Sequence, residues 1–185
     1  MTGASSGLGA ALAAHYADAG AIVGLVARRA EPLAGLASRH PGRVAAWTAD
    51  VTDSAAMQQA AAEFTGRFGA PDIVIANAGV SVGTLADSAD DLAAFRRVMD
   101  VNVYGMAASF QPFIAAMRER RHGSLVGIAS VAGFRGLPGA AAYSASKSAV
   151  ITYLESLRTE LHGSGLSVTT ICPGYVRTPM TDVNP

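Results

Sequence analysis

Short, β-branched apolar runs alternate with longer helical stretches along nearly the whole chain, and this alternation restricts the fold more than any other feature. The strand candidates are AIVGLVAR (21–28), RVAAWTAD (43–50), PDIVIAN (71–77), GSLVGIAS (123–130) and LSVTTICP (166–173). Between them, helical patterning occupies 7–19, 30–39, 53–68, 87–121 and 141–163. Strands joined by helix-length segments pair in parallel, because a parallel pair needs a long crossover. Their near-continuous apolar character fits a sheet covered on both faces. The expected fold is α/β, a doubly wound, mostly parallel central sheet with helices on both faces.

The chain has 185 residues, enough for one well-buried domain and short for two, and no repeat, low-complexity tail or linker divides it. The expectation is one domain over 1–185, truncated at both ends. The glycine-rich turn begins at Thr2-Gly3, which leaves no room for the strand that should precede it, and the chain stops in a loop after Pro173-Gly174. First and last strands are therefore expected to be missing. Lys+Arg and Asp+Glu stand at 14 each, so no basic excess points to nucleic acid. No apolar run reaches the roughly eighteen residues of a membrane span, and no signal peptide is recognisable at Met1. With Cys172 as the single cysteine, no internal disulfide can form, which fits a reducing, cytoplasmic location. His15, His40, His122 and His162 are scattered without paired ligands, so no metal site is expected.

The segment FRRVMDVNVYGMAASFQPFIAAMRER is apolar around most of its circumference, with Pro112 expected to kink it. Together with Val150, Leu154, Leu157 and Leu161 it fits a subunit interface, making helices 87–121 and 141–163 the expected contacts of a homodimer or homotetramer. Burial within one chain accounts for the same pattern equally well.

The opening TGASSGLG places Gly3, Gly7 and Gly9 where a strand would turn into an amphipathic helix. Glycine permits tight backbone geometry and close ligand approach, and the helix N-terminus offers free N–H groups to a pyrophosphate. Its spacing is T-G-x-x-x-G-x-G, compatible with a dinucleotide or with a plain glycine turn. The next strand ends in Ala27, Arg28 and Arg29, without the acidic residue that often binds ribose hydroxyls; a guanidinium there pairs with a 2′-phosphate and favours NADP. Asp50-Val51 follows, where the carboxylate either accepts from an adenine amino group or caps the helix over 53–68. Asn77-Ala78-Gly79 and Ser130 close two further strands. Ligands of open α/β sheets gather at the carboxyl ends of strands, so these groups can converge on one cleft.

Tyr143 and Lys147 lie four positions apart at the start of the helix 141–163, on one helical face. An ammonium beside a phenol favours the phenolate and brings the hydroxyl toward useful proton transfer.

In order and spacing, TGASSGLG, NAG at 77–79, Asn102 in DVNVYG, Ser130 in SLVGIAS, YSASK at 143–147 and PGYVRT at 173–178 resemble the short-chain dehydrogenase/reductase family, in its compact single-domain branch. The resemblance covers the whole chain. It implies a Rossmann-type domain and a carbonyl–alcohol oxidoreductase with a nicotinamide cofactor, for which Arg28 and Arg29 make NADP(H) the expectation over NAD(H). It further implies a tetrad in which Tyr143 is general acid or base, Ser130 orients the substrate oxygen, Lys147 tunes Tyr143 and binds the nicotinamide ribose, and Asn102 holds through its backbone a water that relays protons. It places Gly3, Ser5, Ser6, Gly7, Leu8 and Gly9 at the pyrophosphate, and Pro173, Gly174, Val176 and Thr178 beside the nicotinamide. Arg28, Arg29, Asp50, Val51, Asn77, Ala78, Gly79, Tyr143 and Lys147 complete the expected cofactor contacts. Cys172 reads as a structural thiol. Val80, the loop VAGFRGLPG and Tyr175 to Met180 are the expected substrate lining, pointing to a small hydrophobic ketone, aldehyde or alcohol. Two other readings share these residues: an NADP-binding sensor or scaffold without turnover, and a nucleotide-sugar epimerase or dehydratase, whose usual T-G-x-x-G-x-x-G turn this chain lacks.

Overall fold

The structure, a computed structural model, describes residues 1–182; the last three residues of the expected domain lie outside the described residues. The elements run α1 (Gly7–Asp18), β1 (Val23–Ala27), α2 (Ala30–Arg39), β2 (Val44–Thr48), α3 (Ser54–Phe68), β3 (Ile73–Ala76), α4 (Asp91–Met99), a π-helical turn (Asp100–Tyr104), α5 (Gly105–Arg120), β4 (Gly123–Ile128), a 3₁₀ turn (Val131–Gly133), α6 (Ala141–Glu160) and β5 (Leu166–Ile171). All pairing between these strands is parallel, β1 with β2 and β3–β4–β5 in that order. The chain folds as the expected α/β, Rossmann-like arrangement.

Alternation along β1 explains why helices cover both faces. Val23, Leu25 and Ala27 point into a cluster with Ala13, Ala17, Leu33 and Leu36 of α1 and α2. Val26 points the other way, to Met57 and Ala60 of α3 and Val101 of the π turn. The other strand set packs Val74, Leu125 and Val168 against Phe110 and Met117 of α5, Val150, Leu154 and Leu157 of α6, and Leu161 just past its end.

Between β1 and β3, among the described residues, lie Met1 and Thr2. The Met1 amine donates to the Gly24 carbonyl at 2.7 Å, Val26 N–H donates to the Met1 carbonyl at 2.9 Å, and Thr2 N–H donates to Ile75 at 3.0 Å. Two residues thus link the two strand sets, above a cavity of about 390 Å³ lined by Gly24, Trp47, Phe64, Ile73 and Phe113.

Three expectations change. The helix expected over 87–121 begins at Asp91 and is interrupted by the π turn. Val150, Leu154, Leu157 and Leu161, expected at a subunit interface, are core residues of this chain at 5 % exposure or less. Helix α6 packs on β5 and also against α4, so its apolar circumference is used within one chain. Asp53, not Asp50, caps α3, its carboxylate accepting from Ala56 N–H at 3.0 Å.

Candidate active site

The carboxyl ends of β1 to β5 surround a cavity of about 480 Å³. Each loop that leaves a strand contributes to its wall, as parallel α/β geometry requires. From the glycine turn come Gly3, Ser5, Ser6, Gly7 and Leu8; from the ends of β1 and β2 come Arg28, Arg29, Asp50 and Val51. Asn77, Ala78 and Gly79 follow β3, Ser130 follows β4, and Pro173, Gly174, Val176 and Thr178 follow β5. Tyr143 and Lys147 of α6 face the same space. Of the expected catalytic and cofactor residues all but Gly9 and Asn102 line it, whereas the loop 131–139 and Tyr175, expected to line the substrate site, do not.

Gly9 is needed for packing. A Cβ there would overlap the Gly3 carbonyl and the Asn77 side chain, and a Cβ on Gly3, at φ +66°, would lie 2.7 Å from the Ala78 Cα. The turn is therefore pressed against the loop after β3. Asn77 Nδ2 donates to the carbonyls of Thr2 and Gly3, both at 3.2 Å, so this side chain fastens the turn. Thr2 Oγ1 accepts from the Asn77 and Ala78 N–H groups at 3.2 and 3.3 Å.

The two arginines diverge. Arg29 Nη2 donates to the carbonyl and the hydroxyl of Ser5, each at 3.3 Å, which lays a guanidinium across the glycine turn. Arg28 stands on the other side, near Asp50. Burial alone would raise the Asp50 pKa, but hydrogen bonds from Thr52, at 3.0 Å from N–H and 2.9 Å from the hydroxyl, and the charges of Arg28 and Arg97 together hold it below the usual carboxylate range.

Lys147 is 5 % exposed, and its Nζ donates to the Ile128 carbonyl at 2.8 Å. Burial lowers its pKa from 10.5 to about 8, partly opposed by Cys172. The ammonium lies 5.6 Å from the centre of the Tyr143 ring. Ser130 Oγ accepts from Ala132 N–H at 3.2 Å, and Val131 N–H donates to the Pro173 carbonyl at 3.0 Å, joining the loops after β4 and β5. Asn102, in the π turn, accepts from Val80 N–H at 2.8 Å and donates to the Val80 carbonyl and to Ser146 Oγ, both at 2.9 Å. Single π turns inside helices commonly mark functional sites.

Four supporting residues escape the sequence reading: Thr2, Ile128, Ser146 and Thr181. Thr181 Oγ1 accepts from Thr178 N–H at 3.0 Å and holds the loop after β5 over the cavity. Ser146 has a detectable signal, since it lies three positions from Tyr143 on the same helical face. Ile128 has none, because it acts through a main-chain carbonyl.

A long, glycine-floored cavity with cations at one end and a phenol, a hydroxyl and an ammonium at the other fits a dinucleotide with its reactive ring beside Tyr143. No group of three or more His, Cys, Asp or Glu side chains suited to a metal occurs among the described residues. No helix among them is long and apolar enough to cross a membrane.

The short chain dehydrogenase family model matches residues 1–184. An oxidoreductase of Myxococcus xanthus is 42% identical over 189 residues, spanning 100% of this chain and 74% of its own length. Dehydrogenase/reductase SDR family member 7B of Bos taurus is 38% identical over 98% of this chain, which spans only 58% of that relative. Among solved structures, serine dehydrogenase in complex with NADP+ superposes with a TM-score of 0.91 at 30% identity, covering 98% of this chain and 74% of that one. A short chain dehydrogenase/reductase of Burkholderia phymatum in complex with NAD gives 0.90 at 31% identity, covering 100% and 69%. Fold, cavity and whole-length match agree: the chain belongs to the short chain dehydrogenase/reductase family, oxidoreductases that act on CH–OH groups with NAD(P).

Proposed function

We propose that this chain interconverts a carbonyl compound and its alcohol with NADP(H), using Tyr143 as general acid and base. The carrying observation is that Tyr143 and Lys147 line one cavity with the glycine turn, the lysine held 5.6 Å from the tyrosine ring. The nicotinamide supplies hydride when bound. In the reductive direction the Tyr143 hydroxyl gives its proton to the carbonyl oxygen, so negative charge never accumulates fully there. Ser130 donates to the same oxygen and orients it. Lys147, fixed by the Ile128 carbonyl, keeps positive charge beside the phenol and reaches the ribose. Asn102, through its backbone, is assigned the water that returns protons from solvent.

Arg28 and Arg29 support a preference for NADP(H), because no carboxylate stands at the end of β1 to repel a 2′-phosphate. Val131, Phe134, Leu137 and Tyr175 are exposed apolar groups on the loops expected to line the substrate site, which favours a small hydrophobic ketone, aldehyde or alcohol. A homodimer or homotetramer through α4, α5 and α6 belongs to the reading, with exposed Leu92, Phe95 and Tyr104 as its support in place of the α6 leucines. A cytoplasmic location rests on the single cysteine.

The test is NADPH oxidation against a panel of ketones and aldehydes beside the Tyr143→Phe variant. Turnover that disappears with the hydroxyl while NADPH affinity persists is the expected result. Binding of NADPH without turnover of any panel member would move the reading to a sensor.

A further inference from the structure

Asn102 has every polar atom engaged, and the engagement has a direction. Its Oδ1 is held by Val80 N–H at 2.8 Å, which fixes the amide so that Nδ2 faces the Val80 carbonyl and Ser146 Oγ. Because Ser146 Oγ accepts from Nδ2, its own proton goes to the Tyr143 carbonyl at 2.7 Å. Asn102 is 1 % exposed and Ser146 0 %, so bulk solvent does not reach these side chains. The chain of bonds runs from the loop after β3, through the π turn, to the first turn of α6.

We propose that Ser146 is a positioning residue that sets Tyr143 relative to the cofactor side of the cavity. The assignment rests on the reading of Tyr143 as proton donor. Gly79 and Val80 follow β3 at the cavity wall, and a Cβ on Gly79 would lie 3.3 Å from Asn102 Oδ1 and 3.7 Å from Lys147 Nζ. Whatever fixes Asn102 to this loop also fixes the ammonium's surroundings. Ser146 carries that constraint to the backbone of Tyr143, which as the third residue of α6 lies where helices fray. Inside a buried network each bond also limits its neighbours' freedom, so the loss of one loosens all.

The experiment compares the wild-type chain with Ser146→Ala, Asn102→Ala and the double variant, reading kcat, KM, NADPH affinity and the ¹³C ring signal of labelled Tyr143, assigned with Tyr143→Phe. For Ser146→Ala the expectation is a kcat reduced about tenfold, KM and NADPH affinity within about twofold, and a displaced Tyr143 signal, in keeping with loss of orientation rather than binding. The double variant should be no worse than the more impaired single one, because both break the same relay. Unchanged kcat and an unmoved Tyr143 signal would overturn the proposal. So would additive effects of the two substitutions, or a parallel fall of kcat and NADPH affinity, which would mark Ser146 as structural only. The ring signal needs no turnover, so absence of activity in the wild type would sink the proposed function while the positioning role is still decided.

Discussion

Lys147 Nζ lies 2.8 Å from the carbonyl oxygen of Ile128, a buried ammonium with a neutral partner instead of a carboxylate. Its pKa falls from 10.5 to about 8 because burial penalises the charged form. The folded protein therefore releases this proton near pH 8 and the unfolded chain near 10.5. Between those values the unfolded chain holds more protons, so stability rises with pH, by on the order of 3 kcal/mol across the window. Denaturant melts of the cofactor-free protein from pH 7.5 to 10.5 should show this rise, and Lys147→Met should flatten it. A slope of equal size in the variant would remove Lys147 as its source.

Arg29 spans to both the carbonyl and the hydroxyl of Ser5 at 3.3 Å, whereas Arg28 stands toward Asp50. A 2′-phosphate placed at this corner gains charge-assisted hydrogen bonds worth about 1.5–3 kcal/mol each. Arg29→Ala should weaken NADPH about 10- to 100-fold and leave NADH within about twofold. Arg28→Asp should go further and favour NADH by repulsion. Fluorescence titration with both cofactors measures this directly, and equal affinities in the wild-type chain would refute the NADP preference.

Gly9→Ala tests the packing of the glycine turn. Its new Cβ would meet the Gly3 carbonyl, a backbone atom that moves only with the turn itself. A strained turn costs about 1–3 kcal/mol and displaces the N–H groups that face the cavity. The expected outcome is a lower melting temperature with at least about tenfold weaker binding of both cofactors. Wild-type affinity in a destabilised variant would show that the turn's shape is not what binds.

The legible part of the site consists of residues whose side chains or missing side chains act locally. Gly3, Ser130, Tyr143 and Lys147 each occur in a short motif at a strand end or helix start, and strand polarity then brings them to one edge. Supporting contacts are less visible for a physical reason: Ile128 contributes a carbonyl that any residue would carry, and the π turn at Asp100–Tyr104 leaves no hydrophobic period to read. Leu154 and Leu157 mislead because a helix packed on two sides inside one chain looks like a helix packed against a second copy. Asp50 and Asp53 are close enough for either to start α3, and only the bond from Ala56 to Asp53 separates them.

The cavity beneath Met1 gives a final prediction about stability. Gly24 of β1 and Ile73 to Ile75 of β3 line opposite sides of this space, and Met1 and Thr2 already bond to both strands. A parallel strand added ahead of Met1 would pair both edges. It would also replace a buried amine by an amide. Burial lowers the Met1 amine from 8.0 to about 5, so the unfolded chain binds the extra proton between these values. The penalty, on the order of 4 kcal/mol, is complete below pH 5, fades as pH rises and is absent above pH 8. A five-residue valine- and isoleucine-rich extension should therefore raise the melting temperature, at about 2–4 °C per kcal/mol, with the larger gain at pH 5 than at pH 8.5. A matched extension rich in proline and aspartate removes the same amine but cannot pair as a strand, so it should gain at pH 5 and give little at pH 8.5. Equal melting temperatures for both extensions would mean that this space does not take a strand.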